Sequence, residues 1–191
     1  MGQNTLEKQY LKGHVLLAMP AMVDPRFIRS VIYICSHNEH GAMGLVINRI
    51  FGSVMFSDLL DQVGIKTIQP KEDQKVHFGG PMEAGRGFVL HTTDFLQEGS
   101  MVIEDGIALT GTLDILQAIA KGEGPRKHML LLGYAGWTPG QLEEEMQANS
   151  WISAPASPEL IFDVEVAIKW ERALQKMGID LPSLSAESGH A

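Results

Sequence analysis

Residues 13–49, GHVLLAMPAMVDPRFIRSVIYICSHNEHGAMGLVINR, constrain the fold more than any other part of the chain. Two apolar runs rich in Val, Ile, Leu and Tyr flank a turn of Asp24, Pro25 and Arg26, and a third run follows closely. His14–Pro20, Val31–His37 and Met43–Asn48 each read as a strand, because β-branched and aromatic side chains pack well on a pleated surface. Asp24-Pro25 predicts a short helical turn, with Asp as the cap and Pro at the first helical position. Gly41, in the short link Asn38–Ala42, predicts a hairpin between the second and third strands. Polar residues therefore gather in loops at the ends of buried strands.

The remaining chain alternates short elements. Phe56–Val63 reads as a helix stopped by Gly64, Lys66–Lys75 as a polar loop, and Gly79-Gly80-Pro81 as a sharp break after Val76–Phe78. Gly87–Thr92 reads as a strand, Met101–Thr110 as a hairpin turning at Asp105-Gly106, and Thr112–Ala120 as a helix. Lys127–Leu132 reads as a buried strand that enters a glycine-rich link, Gly133–Trp137. Thr138-Pro139-Gly140-Gln141 carries helix-start chemistry, with Glu143–Glu145 at the positive end of the helix that follows to about Asn149. Trp151 is expected to anchor a further strand. A last helix starts near Asp163, with Val166, Trp170, Ala173, Leu174 and Met177 on one stripe and Gly178 as its stop.

About six to eight strands and four or five short helices emerge. Hairpin signals outnumber parallel crossovers, so the expected class is α+β. Residues 1–9 are expected to be a flexible terminus, 10–181 one domain, and 182–191 a disordered tail.

Charge narrows the function. The 15 Lys and Arg against 23 Asp and Glu leave a net charge of −8. Phosphate contacts supply most non-specific nucleic-acid affinity, so direct nucleic-acid binding is disfavoured, as is an acidic membrane surface. No apolar run approaches the ~20 residues of a membrane span, and no secretory signal is expected. One cysteine cannot make an internal disulfide, which suits a reducing cytoplasm.

Three loop clusters are candidate sites. Cys35, His37 and His40 offer ligand-type side chains, but no CxxC or HExxH supports a metal, and no metal or cofactor is expected. Cys35 would be a reactive thiol if His37 or Arg29 supplied positive charge; on an apolar strand, an inert core residue is the plainer reading. Gly79-Gly80-Pro81 with Arg86-Gly87 could cradle an anion, against a plain tight loop. The Gly133–Gln141 link could hold an anion at a helix start, with Trp137 covering an apolar group. No GxSxG elbow, P-loop or paired carboxylates appear.

Residues 13–49, FGGPMEAGRGFVLH (78–91) and LLGYAGWTPGQLEEEMQANSW (131–151) closely resemble the YqgE/AlgH family of bacterial proteins. The resemblance implies a small cytosolic α+β domain whose mixed, mostly antiparallel, bifurcated or barrel-like β-sheet is surrounded by short helices. The family has no agreed activity. Some members are labelled transcriptional regulators and tied to alginate production. Asp24, Arg29, Cys35, His37, Asn38, Gly41, Asn48 and Arg49 match the family pattern as site candidates only.

The reading that follows is a cytoplasmic, non-enzymatic regulatory or binding protein, with an indirect transcriptional role as one form of it. A small ligand or protein partner would bind in a cleft between the Asp24–Arg49 block and the Gly133–Gln141 block, and the binding candidates are Asp24, Arg29, His37, Asn38, Asn48, Arg49, Gly80, Arg86 and Trp137. The alternative is a thiol-dependent enzyme or redox switch built on Cys35 and His37.

Overall fold

The structure, a computed structural model, describes residues 10–67, 74–104 and 106–181. The expectations for 1–9 and 182–191, and for most of the 66–75 loop, lie outside these residues. Among the described residues, ten strands form one curled, half-barrel sheet, mostly antiparallel, with a few short helices around it. The α+β class is therefore as expected from the pattern of hairpin signals.

The first region folds as its pattern dictates. β1 (His14–Ala18), β2 (Val31–Asn38) and β3 (Gly41–Val46) are successive antiparallel strands. Val31, Tyr33 and Cys35 enter one core, with Val15, Leu45 and Leu90. Ile32 and Ile34 point the opposite way, into a second core with Leu16, Trp137 and Trp151. Burial on both faces explains why VIYIC is apolar at every position rather than alternating.

β4 (Ile50–Met55), an unforeseen strand, leads into α1 (Phe56–Gln62) and pairs with β5 (Lys75–Phe78). Gly52 and Ser53 interrupt its apolar pattern, which hid it from sequence reading. β5 lies parallel to β9 (His128–Trp137), the one parallel pairing among the described strands. β6 (Met82–Thr92), β7 (Ser100–Glu104) and β8 (Ile107–Thr110) complete the sheet beside β9.

Two expectations need correction. β9 runs on through Gly133–Trp137, so this stretch is a strand and not a link. β6 likewise begins five residues before Gly87. The glycines permit a close crossing. A Cβ at Gly80 would overlap the Tyr134 carbonyl, and one at Gly133 would overlap the Gly80 carbonyl oxygen.

α2 (Leu113–Ala120) and α1 cover a third core around Val89 and Leu130. α3 (Gln141–Gln147) and β10 (Trp151–Pro155) close the second core. The C-terminal helix starts later than expected. A π-helical turn (Glu159–Asp163) and a 3₁₀ turn (Val166–Ile168) precede α4 (Lys169–Lys176). Trp170, Ala173 and Leu174 of its stripe are buried, whereas Met177 is exposed.

Candidate functional site

The loop between β1 and β2 is built on Asp24. Its carbonyl accepts the Phe27 and Ile28 amides, forming the expected turn. Its carboxylate accepts the Arg26 amide at 3.0 Å and the Arg26 guanidinium at 2.7 Å. The Arg26 hydrogen bonds hold this carboxyl below its usual pKa range. Asp24 is thus committed to its own turn.

The turn delivers Arg29 in a left-handed backbone conformation, φ 54°. A non-glycine residue pays strain there, so something must hold it. Asn48 does so. Its side-chain nitrogen donates to the Arg29 carbonyl at 2.8 Å, and its oxygen accepts the Val31 amide at 2.9 Å. Arg49 donates to the Ile28 carbonyl at 2.9 Å and to the Pro25 carbonyl at 3.4 Å.

α4 faces this corner and completes a cleft of about 190 Å³. Arg29, Asn48 and Arg49 line one side with Ile28; Trp170 and Glu171 line the other with Val166 and Ala167. The Arg29 guanidinium lies 5.1 Å over the Trp170 ring and 3.8 Å from the Glu171 carboxylate. No carboxylate among the described residues lies within ion-pair distance of Arg49. Burial lowers the Arg49 pKa, with the Asp24 charge acting against it.

Beneath the cleft sits a group that sequence reading missed. Lys169 is 1% exposed and donates to the carbonyls of Ile47 (3.0 Å) and Ile161 (2.7 Å). Burial pulls its pKa down to about 8. His77, which feels the Lys169 charge, is brought down to about 4, chiefly by burial. The ammonium ties the residue before Asn48 to the turn that leads into α4. Trp170 donates its indole N–H to the Ala18 carbonyl at 2.9 Å, fixing the helix to β1. A lysine one residue ahead of the stripe gives no sequence signal, since most such lysines are solvated.

The other sequence candidates lie elsewhere. His37 is six residues along β2 from Val31, about 20 Å at ~3.3 Å per residue. Its Nδ1 accepts the Leu11 amide at 2.9 Å, so its Nε2 carries the proton donated to Glu143 at 2.9 Å. Asn38 accepts the His40 amide at the hairpin tip, beside Gly41. Trp137 is buried and donates to Glu145 at 2.9 Å, as does Trp151 at 2.8 Å. Trp137 therefore packs in the second core. The Asp24–Arg49 and Gly133–Gln141 blocks meet only at the hairpin tip, where Ala42 pairs with Trp137, whereas Arg29, Asn48 and Arg49 lie at the other end of β2, so the expected cleft does not form as one site.

Gly80 is buried at the backbone crossing, and Arg86 lies on the exposed start of β6, 3.5 Å from Glu83. Neither adjoins the arginine cleft. Cys35 is fully buried, and burial raises its thiol pKa. A bulge between Ile34 and Ser36 shifts the strand's alternation, so His37 faces the second core while Cys35 faces the first. Two residues apart on a regular strand they would share a face; the bulge separates them, and His37 does not supply the expected positive charge to the thiol. Among the described residues, no group of three His, Cys, Asp or Glu is placed to hold a metal, and no helix is long and apolar enough to cross a membrane.

Comparison with known proteins agrees with this architecture. The AlgH-like family model matches residues 15–182. A UPF0301 protein of Nitrobacter hamburgensis is 54% identical over 97% of this chain and 89% of its own length. One from Rhodospirillum rubrum is 50% identical over 95% of each. The solution structure of the AlgH protein from Pseudomonas aeruginosa superposes with a TM-score of 0.78 at 40% identity, covering all of both chains. A crystal structure of a Corynebacterium diphtheriae protein shares the fold, with a TM-score of 0.73 at 24% identity over 97% of this chain and 94% of that one. On these matches the chain belongs to the AlgH-like family.

Proposed function

We propose that this chain is a cytoplasmic binding protein, not an enzyme, and that its arginine cleft captures a small ligand bearing an anionic group. One observation carries the reading: Arg49 is partly buried beside the cleft, and its bonded partners are backbone carbonyls rather than a carboxylate. A guanidinium without a paired carboxylate in a concave site is suited to a planar anion, which it can grip through two parallel N–H bonds. Arg29 on the Trp170 face adds a second cation. Any regulatory role, including an effect on transcription, would then run through the bound ligand. The net charge of −8 supports that indirect route over contact with DNA.

The test is titration of the protein with propionate, followed by amide and side-chain NMR shifts. Signals of Arg29, Asn48 and Arg49 should move together and saturate. Arg29→Gln, which loses only the long ion pair and the ring contact, should weaken binding several-fold while keeping the fold. Arg49→Lys should weaken it further by removing the fork. Shifts that never saturate, or that persist unchanged in both variants, would discard the reading.

A further inference from the structure

The cleft has two signs of charge, and this bears on what fills it. Arg29 and Arg49 stand on the loop side, Glu171 on the α4 side. Arg29 and Glu171 are 3.8 Å apart, beyond the 2.7–2.9 Å of a charge-assisted hydrogen bond. Both side chains keep substantial exposure, 65% and 43%, so the pair leaves each group with free hydrogen-bonding capacity. A bare anion entering here gains two guanidiniums and meets the repulsion of Glu171. A ligand with an anionic group beside a cationic one avoids that cost and satisfies both sides.

Resting on the anion-binding reading above, we infer that the cleft takes a small zwitterion of the α-amino-acid class. The carboxylate meets Arg29 and Arg49, and the ammonium meets Glu171. Ile28, Val166 and Ala167 supply short apolar walls suited to an aliphatic side chain. The volume of about 190 Å³ suits a ligand of that size and falls short of the roughly 300 Å³ at which drug-sized sites begin. The Trp170 indole N–H, already given to Ala18, is not offered to the ligand. The Asn48 side chain is likewise engaged on both of its polar atoms. Selection therefore falls to the three charged groups.

L-Alanine and propionate form a matched pair of probes, since they differ by the ammonium alone. Alanine should bind wild-type protein about two- to fivefold more tightly, as expected for one added charge pair in a partly exposed site. Glu171→Gln should erase that preference, leaving propionate binding intact or strengthened. Arg49→Lys should weaken both probes alike. Equal affinity for the two probes, or a preference that survives Glu171→Gln, would overturn the zwitterion assignment and leave the anion site standing. If Glu171→Gln tightened alanine as much as propionate, Glu171 would be a competitor rather than a contact, and the assignment would fail. Saturable binding of neither probe would overturn this inference and the anion reading together.

Discussion

The two ends of β2 carry similar residue types and opposite electrostatic outcomes. At the His37 end, the buried polar side chains are paired within the chain. Glu143 accepts the hydrogen bond of His37 Nε2, and Glu145 accepts from both indoles and from Gln141 at 3.0 Å. At the Asn48 end, Arg49 finds only carbonyls and Arg29 only a distant carboxylate. A closed polar network stabilises a fold, and a partner would have to break it to bind. An open one leaves charge available to a ligand. Residue type alone therefore does not mark a site; what matters is whether the partners are already inside the chain.

The largest test of that contrast lies at the closed end. Glu145→Ala leaves the Trp137 and Trp151 N–H groups without their acceptor. At about 1–3 kcal/mol for each unpaired buried donor, the loss should be roughly 2–6 kcal/mol. Urea unfolding followed by tryptophan fluorescence would measure it. Glu145→Gln, which keeps an acceptor, should lose much less, and ligand affinity at the distant cleft should not move in either variant.

Lys169 gives a comparable effect that is read through pH. Its folded pKa of about 8 lies below the ordinary ~10.4 of the unfolded chain. Between these values the unfolded state binds more protons, so stability rises with pH across that window. The full rise is on the order of 3 kcal/mol, at about 1.4 kcal/mol per unit. Cys35 acts in the opposite sense, because its thiol pKa is raised by folding. The difference between wild type and Lys169→Met therefore isolates the lysine, and parallel stability profiles from pH 8 to 10.5 would refute the buried ammonium.

His77 supplies the acid counterpart. Its folded pKa near 4 lies below the ordinary ~6.5, so stability should fall as pH drops from 6.5 towards 4. His77→Phe should flatten that part of the profile by up to about 3 kcal/mol. A smaller effect is expected at the open end. Asn48→Ala removes both bonds that clamp the Arg29 corner, and should cost about 1–3 kcal/mol while also weakening ligand capture. His37→Ala should destabilise the protein without touching the cleft; a matching loss of ligand affinity would break the comparison between the two ends. The smallest effect belongs to Cys35, which should alkylate at neutral pH only once the protein is unfolded, with Cys35→Ser binding ligand as wild type does.

Much of the fold was legible because its signals are local. Val31–Cys35 is apolar at each position, and that pattern belongs to a strand buried on both faces. Gly106, at φ 81°, lies between two strands that pair as a hairpin, while Asp105 of the expected turn lies outside the described residues. β4 escaped because Gly52-Ser53 breaks its pattern. The late part of β9 escaped because glycines that serve a backbone crossing look, in one dimension, like a loop. Of the candidate residues, Arg29, Asn48 and Arg49 do converge, with Asp24 in the adjoining turn, whereas His37, Trp137, Gly80 and Arg86 do not join them. One bulged residue was enough to place Cys35 and His37 on opposite faces.

By itself the sequence determined the strand-rich α+β class, the Asp24 turn, the β2–β3 hairpin and the family. Each rests on interactions between neighbours along the chain or on long runs of matching residues. Tertiary structure alone decided which polar groups remain open. Glu171 and Lys169 lie more than a hundred residues from Asn48, and only the docking of α4 brings them to the arginine corner. Whether a charge is satisfied depends on distance and burial, and neither is encoded in spacing along the chain.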